Sequence, residues 1–288
     1  MKIKSECIPC LIDRAKFEAD IIFETEEEKL KALVEIMRRI SENLSENSVP
    51  AVLGTIRERI LMELSGKKDP YKELKEIDIK AAKEILGVAK SFYEEKQSLE
   101  ALLRIATTSN SMEYGVRGHE FNAAEFKQQF KTILNENLVG NLDEVEKAFS
   151  KYNKILYLLD NAGEAIFDVF IAEELKKLGK EVILSPKSKP IINDITASEL
   201  REFAEGFEII PSGPCIGVIL EEVEEEFKKL LFNKEYLIFA KGMGHYETIS
   251  EFHDKLKGRI IHVFRAKCES VSKEIGVKRG SLVVKLVV

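Results

Sequence analysis

The stretch Lys154-Ile155-Leu156-Tyr157-Leu158-Leu159-Asp160-Asn161-Ala162-Gly163-Glu164 decides the fold. Its short, nearly unbroken apolar run suits a strand buried on both faces of a parallel sheet. A small-residue turn follows, and residues 165–178 then read as a helix. Such strands present functional groups just past their carboxyl ends, where the sheet opens into a crevice. Asp160 and Asn161 stand there, and a carboxylate beside an amide oxygen suits Mg2+ or Mn2+. Asp and Asn are also favoured helix N-caps, so this stretch alone leaves both readings open.

Outward from it the texture alternates. Strand-like runs at Ile155–Leu159, Val182–Leu184, Phe207–Ile210, Tyr236–Ala240, Ile260–Phe264 and Leu282–Val288 are separated by helical candidates near 165–178, 197–204, 217–231 and 246–256. Alternating β and α with short loops predicts a mainly parallel sheet covered on both faces, its strand-to-helix loops gathered on one edge. The preceding residues read differently. Ile12–Phe23, Glu27–Asn43, Ala51–Leu64, Ala81–Lys96 and Leu99–Thr107 carry helical spacing, with a short helix starting at Asp69-Pro70-Tyr71 and a capping box from Thr25. The expectation is a helical domain over residues 1–150 and an α/β/α domain over 151–288.

The chain has 288 residues and a formal charge of −6, which gives general nucleic-acid binding no electrostatic support. No apolar run approaches a membrane span and the start lacks a signal-peptide core, so a cytoplasmic protein without membrane partners is expected. The four cysteines are too sparse for a disulfide framework. Cys7-Ile8-Pro9-Cys10 is a CxxC that suits a second metal or a redox site, with Cys268 as a third ligand where the chain ends meet; packed thiols are the other reading.

Three loops join Asp160-Asn161 at the expected edge. Asn193-Asp194 repeats the amide–carboxylate pair, Ser212-Gly213 follows the Phe207–Ile210 strand, and Lys241-Gly242-Met243-Gly244-His245-Tyr246-Glu247 follows the next. A lysine before Gly-x-Gly at a helix start forms an anion cradle. Two carboxylates and an amide for a divalent metal, beside that cradle, describe metal-assisted phosphoryl chemistry. Within the helical half, Thr107 to Gly115 is a polar loop from which Asn110 and Glu113 could reach a ligand; a plain helix end explains it too. His119 and Glu120 read as surface loop.

The motifs Glu6-Cys7-x-Pro9-Cys10, Asp160-Asn161-Ala162-Gly163-Glu164, Asn193-Asp194-x-Thr196, Lys241-Gly-x-Gly244-x-Tyr246-Glu247 and Ala266-Lys267-Cys268-Glu269 together resemble the CxxC-bearing branch of the damage-control phosphatases. The resemblance spans nearly the whole chain. It implies a Rossmann-like α/β/α domain beneath a helical one, and a divalent metal (Mn, Co, Ni or Mg). It implies hydrolysis of phosphate esters of sugars or other small metabolites. Carried over, Asp160, Asn161 and Asp194 bind the metal, Lys241 holds the phosphate with the Gly242–Gly244 backbone, and Glu247 orients nearby groups. The chain departs from the family pattern at Glu113, where Asp is usual, and at Met243 and His245, where amides are usual. An aspartyl-phosphate route would want an acid where Ala162 stands, so water is the expected nucleophile. The rival functions are an adenosyl-cofactor-dependent methyltransferase, suggested by Asp-x-x-Gly after a strand, and a non-catalytic metal-binding protein. A dinucleotide site lacks its glycine fingerprint.

Overall fold

The computed structural model describes residues 1–112 and 123–288; Glu113, Tyr114, Gly115, His119 and Glu120 lie outside them. The helices are α1 (Cys7–Ile22), α2 (Glu26–Asn43), α3 (Pro50–Ser65), α4 (Lys72–Lys96), α5 (Leu99–Ser109) and α6 (Ala123–Leu134), then α7 (Leu142–Lys151), α8 (Ala165–Lys177), α9 (Ala197–Leu200), α10 (Glu225–Phe232), α11 (Met243–Ile249) and α12 (Glu269–Ile275). The strands are β1 (Leu138–Gly140), β2 (Lys154–Leu158), β3 (Glu181–Ser185), β4 (Glu208–Ile209), β5 (Tyr236–Lys241), β6 (Ile260–Arg265) and β7 (Leu282–Leu286). None of the described helices is long and apolar enough to cross a membrane.

One seven-stranded sheet runs in the order β1-β7-β6-β5-β2-β3-β4. All neighbours are parallel except β6 and β7. The chain steps outward from β2 through β3 to β4, then returns to β5 on the other side of β2. That reversal makes the β2/β5 boundary the topological switch point, where parallel sheets open a ligand crevice.

The period-two alternation of the strands sorts the two cores. Ile155, Tyr157, Val182, Leu184, Leu237 and Phe239 face one layer, in a cluster shared with α4 to α8. Leu156, Leu158, Ile183, Ile238 and Ala240 face the other, with Phe227 and Leu231 of α10. The helices of the first 150 residues therefore split by what they cover. α4 to α7 pack on the sheet, while α1 to α3 enclose a core of their own around Ala15, Ile36, Leu53 and Leu61.

Thr25 forms the expected capping box, accepting from the Glu28 amide while Glu28 accepts from the Thr25 amide. Other elements differ from their sequence patterns. The short helix expected to start at Asp69-Pro70-Tyr71 and the helix expected from residue 81 are one helix, α4, from Lys72; the join is not apolar because its buried face carries Lys75 and Asp78, and Lys75 pairs there with Asp69 and Glu199. The expected 217–231 helix is confined to α10. Its first turns are pre-empted by Gly217 in a left-handed conformation and by Val218, whose amide donates to Thr248. β1 lies in a segment that reads as helix and loop; it is three residues long and pairs with β7.

Because α5 shares the sheet's core, its loss should be felt globally. Leu102→Ala is expected to cost about 2–5 kcal/mol. Circular dichroism and tyrosine fluorescence should report one coincident urea transition; two separated transitions would show that this helical layer unfolds independently.

Candidate active site

β2 ends at the switch point and delivers Asp160 and Asn161 to it. The loop after β3 is laced to the same place by backbone bonds. The Ile195 amide donates to the Asp160 carbonyl at 3.0 Å and the Ala162 amide to the Asn193 carbonyl at 2.8 Å. Asn161 and Asp194 form an isolated antiparallel bridge. The three oxygen-bearing side chains expected to meet thus stand on adjoining backbone. The lacing holds Ile192 at φ 41°, a left-handed conformation that β-branched residues avoid. Strain of this kind persists where the surroundings over-determine the chain, and it concentrates at functional sites.

From the other side of the switch point β5 brings Lys241 and Gly242. Gly242 has φ 82°, and a Cβ there would stand 2.0 Å from Asp160 Oδ2. Glycine is required because this backbone passes directly over the carboxylate. The Gly242 amide itself continues the sheet by donating to the Val263 carbonyl, which removes one donor from the expected anion cradle.

Strand alternation turns Lys241 toward α8. Its side chain is fully buried, 2.7 Å from Asp168 Oδ1 and 3.0 Å from Glu164 Oε2, and it donates to Ser109. Burial would lower the lysine's pKa, but Asp168 and Glu164 outweigh it and hold the ammonium above its ordinary value. Burial pushes Asp168 up to about 6, against the pull of Lys241; Tyr157 donates to the same carboxylate oxygen. In this arrangement the ammonium serves two carboxylates behind the crevice.

Glu164 passes that order forward. Its carboxylate accepts from the side-chain amides of Asn110 and Asn161. Asn110, also fully buried, donates to Asp160 Oδ2 at 3.0 Å and accepts from the Arg265 amide. With its nitrogen committed to Glu164, Asn161 presents Oδ1 as its remaining donor atom. On the far side Lys187 lies 3.7 Å from Asp194 and donates to the Gly217 carbonyl. It also approaches His245, whose pKa burial and then Lys187 press well below the ordinary value.

A cavity of about 460 Å³ opens beside these loops, between α1 and α3 on one wall and Ile192, Met243 and Gly244 on the other. Glu247 borders it, whereas Ser212 and Gly213 are not among its lining residues. Ser212 donates to the Pro186 carbonyl, and Gly213 accepts from the Ser188 amide, so both brace neighbouring loops. Cys7, Cys10 and Cys268 all border the cavity as thiols outside any disulfide. Cys7 donates to Ser270, and Cys268 caps α12; burial, then Glu247, pushes the Cys268 thiol up to about 12, so it is no thiolate at neutral pH.

The donor set fits a hard divalent cation: Asp160, Asn161 and Asp194 offer two carboxylates and one amide oxygen. Next to them Asn193 is buried with neither amide atom hydrogen-bonded among the described residues. An orphaned amide beside paired carboxylates calls for a water or an ion. Among the described residues no three His, Cys, Asp or Glu side chains gather as a metal site.

Sequence reasoning missed Lys187, Asp168 and the role of Glu164. Asp168 had a signal: it is a carboxylate one turn after Glu164 in the otherwise apolar Ala165–Ala172 run of α8. Lys187, in a Pro- and Ser-rich loop, had none.

Removing the buried cation tests this arrangement. Lys241→Met should cost about 3–5 kcal/mol at pH 7 by urea unfolding, since it strands two buried carboxylates. The cost should shrink at pH 5. The Asp168 pKa is raised on folding from 3.8 to about 6, so its neutral form is favoured below that range and stability is lost as pH rises through about 6. Asp168→Asn should flatten that part of the profile.

A family model described as the damage-control phosphatase ARMT1-like domain matches residues 3–283. An uncharacterised protein of Methanocaldococcus jannaschii is 36% identical, over 99% of this chain and 95% of its own length. A damage-control phosphatase of Archaeoglobus fulgidus is 33% identical, over 100% of both chains. The crystal structure of a DUF89 family protein from Pyrococcus horikoshii matches with a TM-score of 0.85 at 26% identity, covering 98% of each chain. The chain therefore belongs to the damage-control phosphatase ARMT1-like family.

Proposed function

We propose that this protein is a metal-dependent phosphatase that hydrolyses phosphate monoesters of small metabolites at the β2/β5 switch point. The observation that carries the reading is the convergence of Asp160, Asn161 and Asp194 on backbone laced together beside a cavity. The relatives named damage-control phosphatase support the same chemistry.

Asp160, Asn161 and Asp194 would hold the cation, with Mn2+, Mg2+, Co2+ and Ni2+ all compatible with an oxygen donor set. When bound, it supplies neutralisation of phosphate oxygens and a lowered pKa for water. The protein's own groups do the rest. Asn110 fixes Asp160 through a 3.0 Å bond and, with Lys241 behind it, Glu164 fixes Asn161. The Met243 and Gly244 amides begin α11, where helix geometry leaves N–H groups without intrahelical acceptors, and both residues border the cavity. In this reading they receive phosphate oxygens. Lys187 adds positive charge beside Asp194. The residue two after Asp160 is Ala162, which has no proton to give a leaving alkoxide, so the reading takes water as the nucleophile.

The test is phosphate release from p-nitrophenyl phosphate by chelated protein resupplied with each metal, together with calorimetric metal titration. Asp160→Ala and Asp194→Ala should each weaken metal binding and lower turnover by more than the ~10–100-fold typical of losing an outer partner. Asn110→Ala, which removes such a partner, should fall within that range. Metal affinity unchanged in both aspartate variants would refute the ligand set.

A further inference from the structure

Helix α2 carries two apolar faces. One holds Ala32, Ile36 and Ile40 in the core of the α1–α3 unit. The other is a stripe of Leu30, Val34 and Met37, aligned along the helix by their spacing. These three side chains are 63%, 53% and 46% exposed. Single exposed apolar residues are ordinary, but three in a row on one helix make a surface. The stripe borders a groove of about 520 Å³, to which α3 contributes Ile60 and the exposed Leu64.

The charges beside the stripe say what fits it. Glu27, Lys31, Glu35 and Arg38 follow one another along its flank, and the first three border the groove. Read from the other end, the order of signs inverts. Such a helix complements itself when two copies run antiparallel, because a two-fold axis sets residue i against j and j against i. Glu27 then meets the second copy's Arg38, Lys31 meets Glu35, and Leu30 meets Met37. The midpoints of these three pairs fall at or beside Leu33, so one axis serves them all and brings Val34 close to its own counterpart. An in-register parallel pair would bring like charges together instead, which is costly at an interface. The antiparallel arrangement also opposes the two helix dipoles. Within one copy Arg38 pairs with Glu35 and Glu42, so the second copy's Glu27 would extend an existing ion-pair network.

We infer that this face binds a second copy of the chain, with the two α2 helices packed antiparallel across a two-fold axis near Leu33. An 18-residue helix is about 27 Å long. Two of them, each with the exposed end of α3 beside it, give a contact near the lower end of the ~1,200–2,000 Å² that specific pairs bury. The dimer should therefore dissociate on dilution. None of these residues lines the cavity at the switch point, so the inference does not depend on the phosphatase reading.

Sedimentation of the full chain from about 1 μM to 1 mM should show the mass rising from 32.7 kDa toward twice that value. Lys31→Glu and Glu35→Lys each set like charges against one another in the paired state. Each should weaken self-association about tenfold or more. Mixed in equal amounts, the two variants should associate again, because each supplies the charge that the other lacks. Damage to the helix alone would not be repaired by mixing. Leu30→Glu, on the exposed stripe, should also remove association while circular dichroism shows the melting temperature little changed. A wild type that keeps the single-chain mass throughout overturns the proposal and leaves the face to a different protein. Single variants that associate as the wild type does, or a mixture that associates no better than its components, overturn it as well.

Discussion

The carboxyl edge of the sheet depends on one buried ammonium. Lys241 ends β5 and contacts Glu164 at the N-cap of α8, Asp168 in its first turn and Ser109 at the end of α5, joining the two sides of the switch point to the helical layer. Burying three charges together is expensive unless each is met by partners in good geometry. Here Tyr157 contributes to Asp168, and Asn110 and Asn161 contribute to Glu164. The cluster adds specificity, because it is satisfied only when β2, β5, α5 and α8 hold their observed relation. The same bonds fix the amides that orient Asp160 and Asn161.

The strain and close approaches in front of that cluster follow from it. Once the β2 and β5 ends are fixed, the loop bearing Asp194 must reach them, and it does so with Ile192 left-handed. The chain after β5 must clear Asp160, which only Gly242 permits. These positions break local preference, as functional sites commonly do. The cavity then lies between a rigid edge and the separate α1–α3 core, so different physical constraints govern its two walls.

The sequence made the sheet legible because its strands are short apolar runs between helices; all six expected runs form strands. It made the meeting of the loops that carry Asp160, Asn161 and Asp194 legible, because parallel topology sends them to one edge. The depth of Lys241 was not legible. A lysine before Gly-x-Gly looks like an open anion site, and only the alternation along β5, together with acids hidden on α8, turns it inward. Ser212 and Gly213 looked like site residues for the same reason of position, and the structure uses them to brace loops. The continuity of α4 between its expected start near Tyr71 and residue 81 hid because the buried face there is charged.

The proposed phosphatase chemistry requires a divalent cation held among Asp160, Asn161 and Asp194. The most direct measurement is an anomalous difference map from crystals of the full chain grown with Mn2+. One strong peak is expected within coordination distance, about 2.0–2.6 Å for oxygen ligands, of all three side chains. A peak among Cys7, Cys10 and Cys268 instead, or protein crystals saturated with Mn2+ and no peak at the switch point, would contradict it.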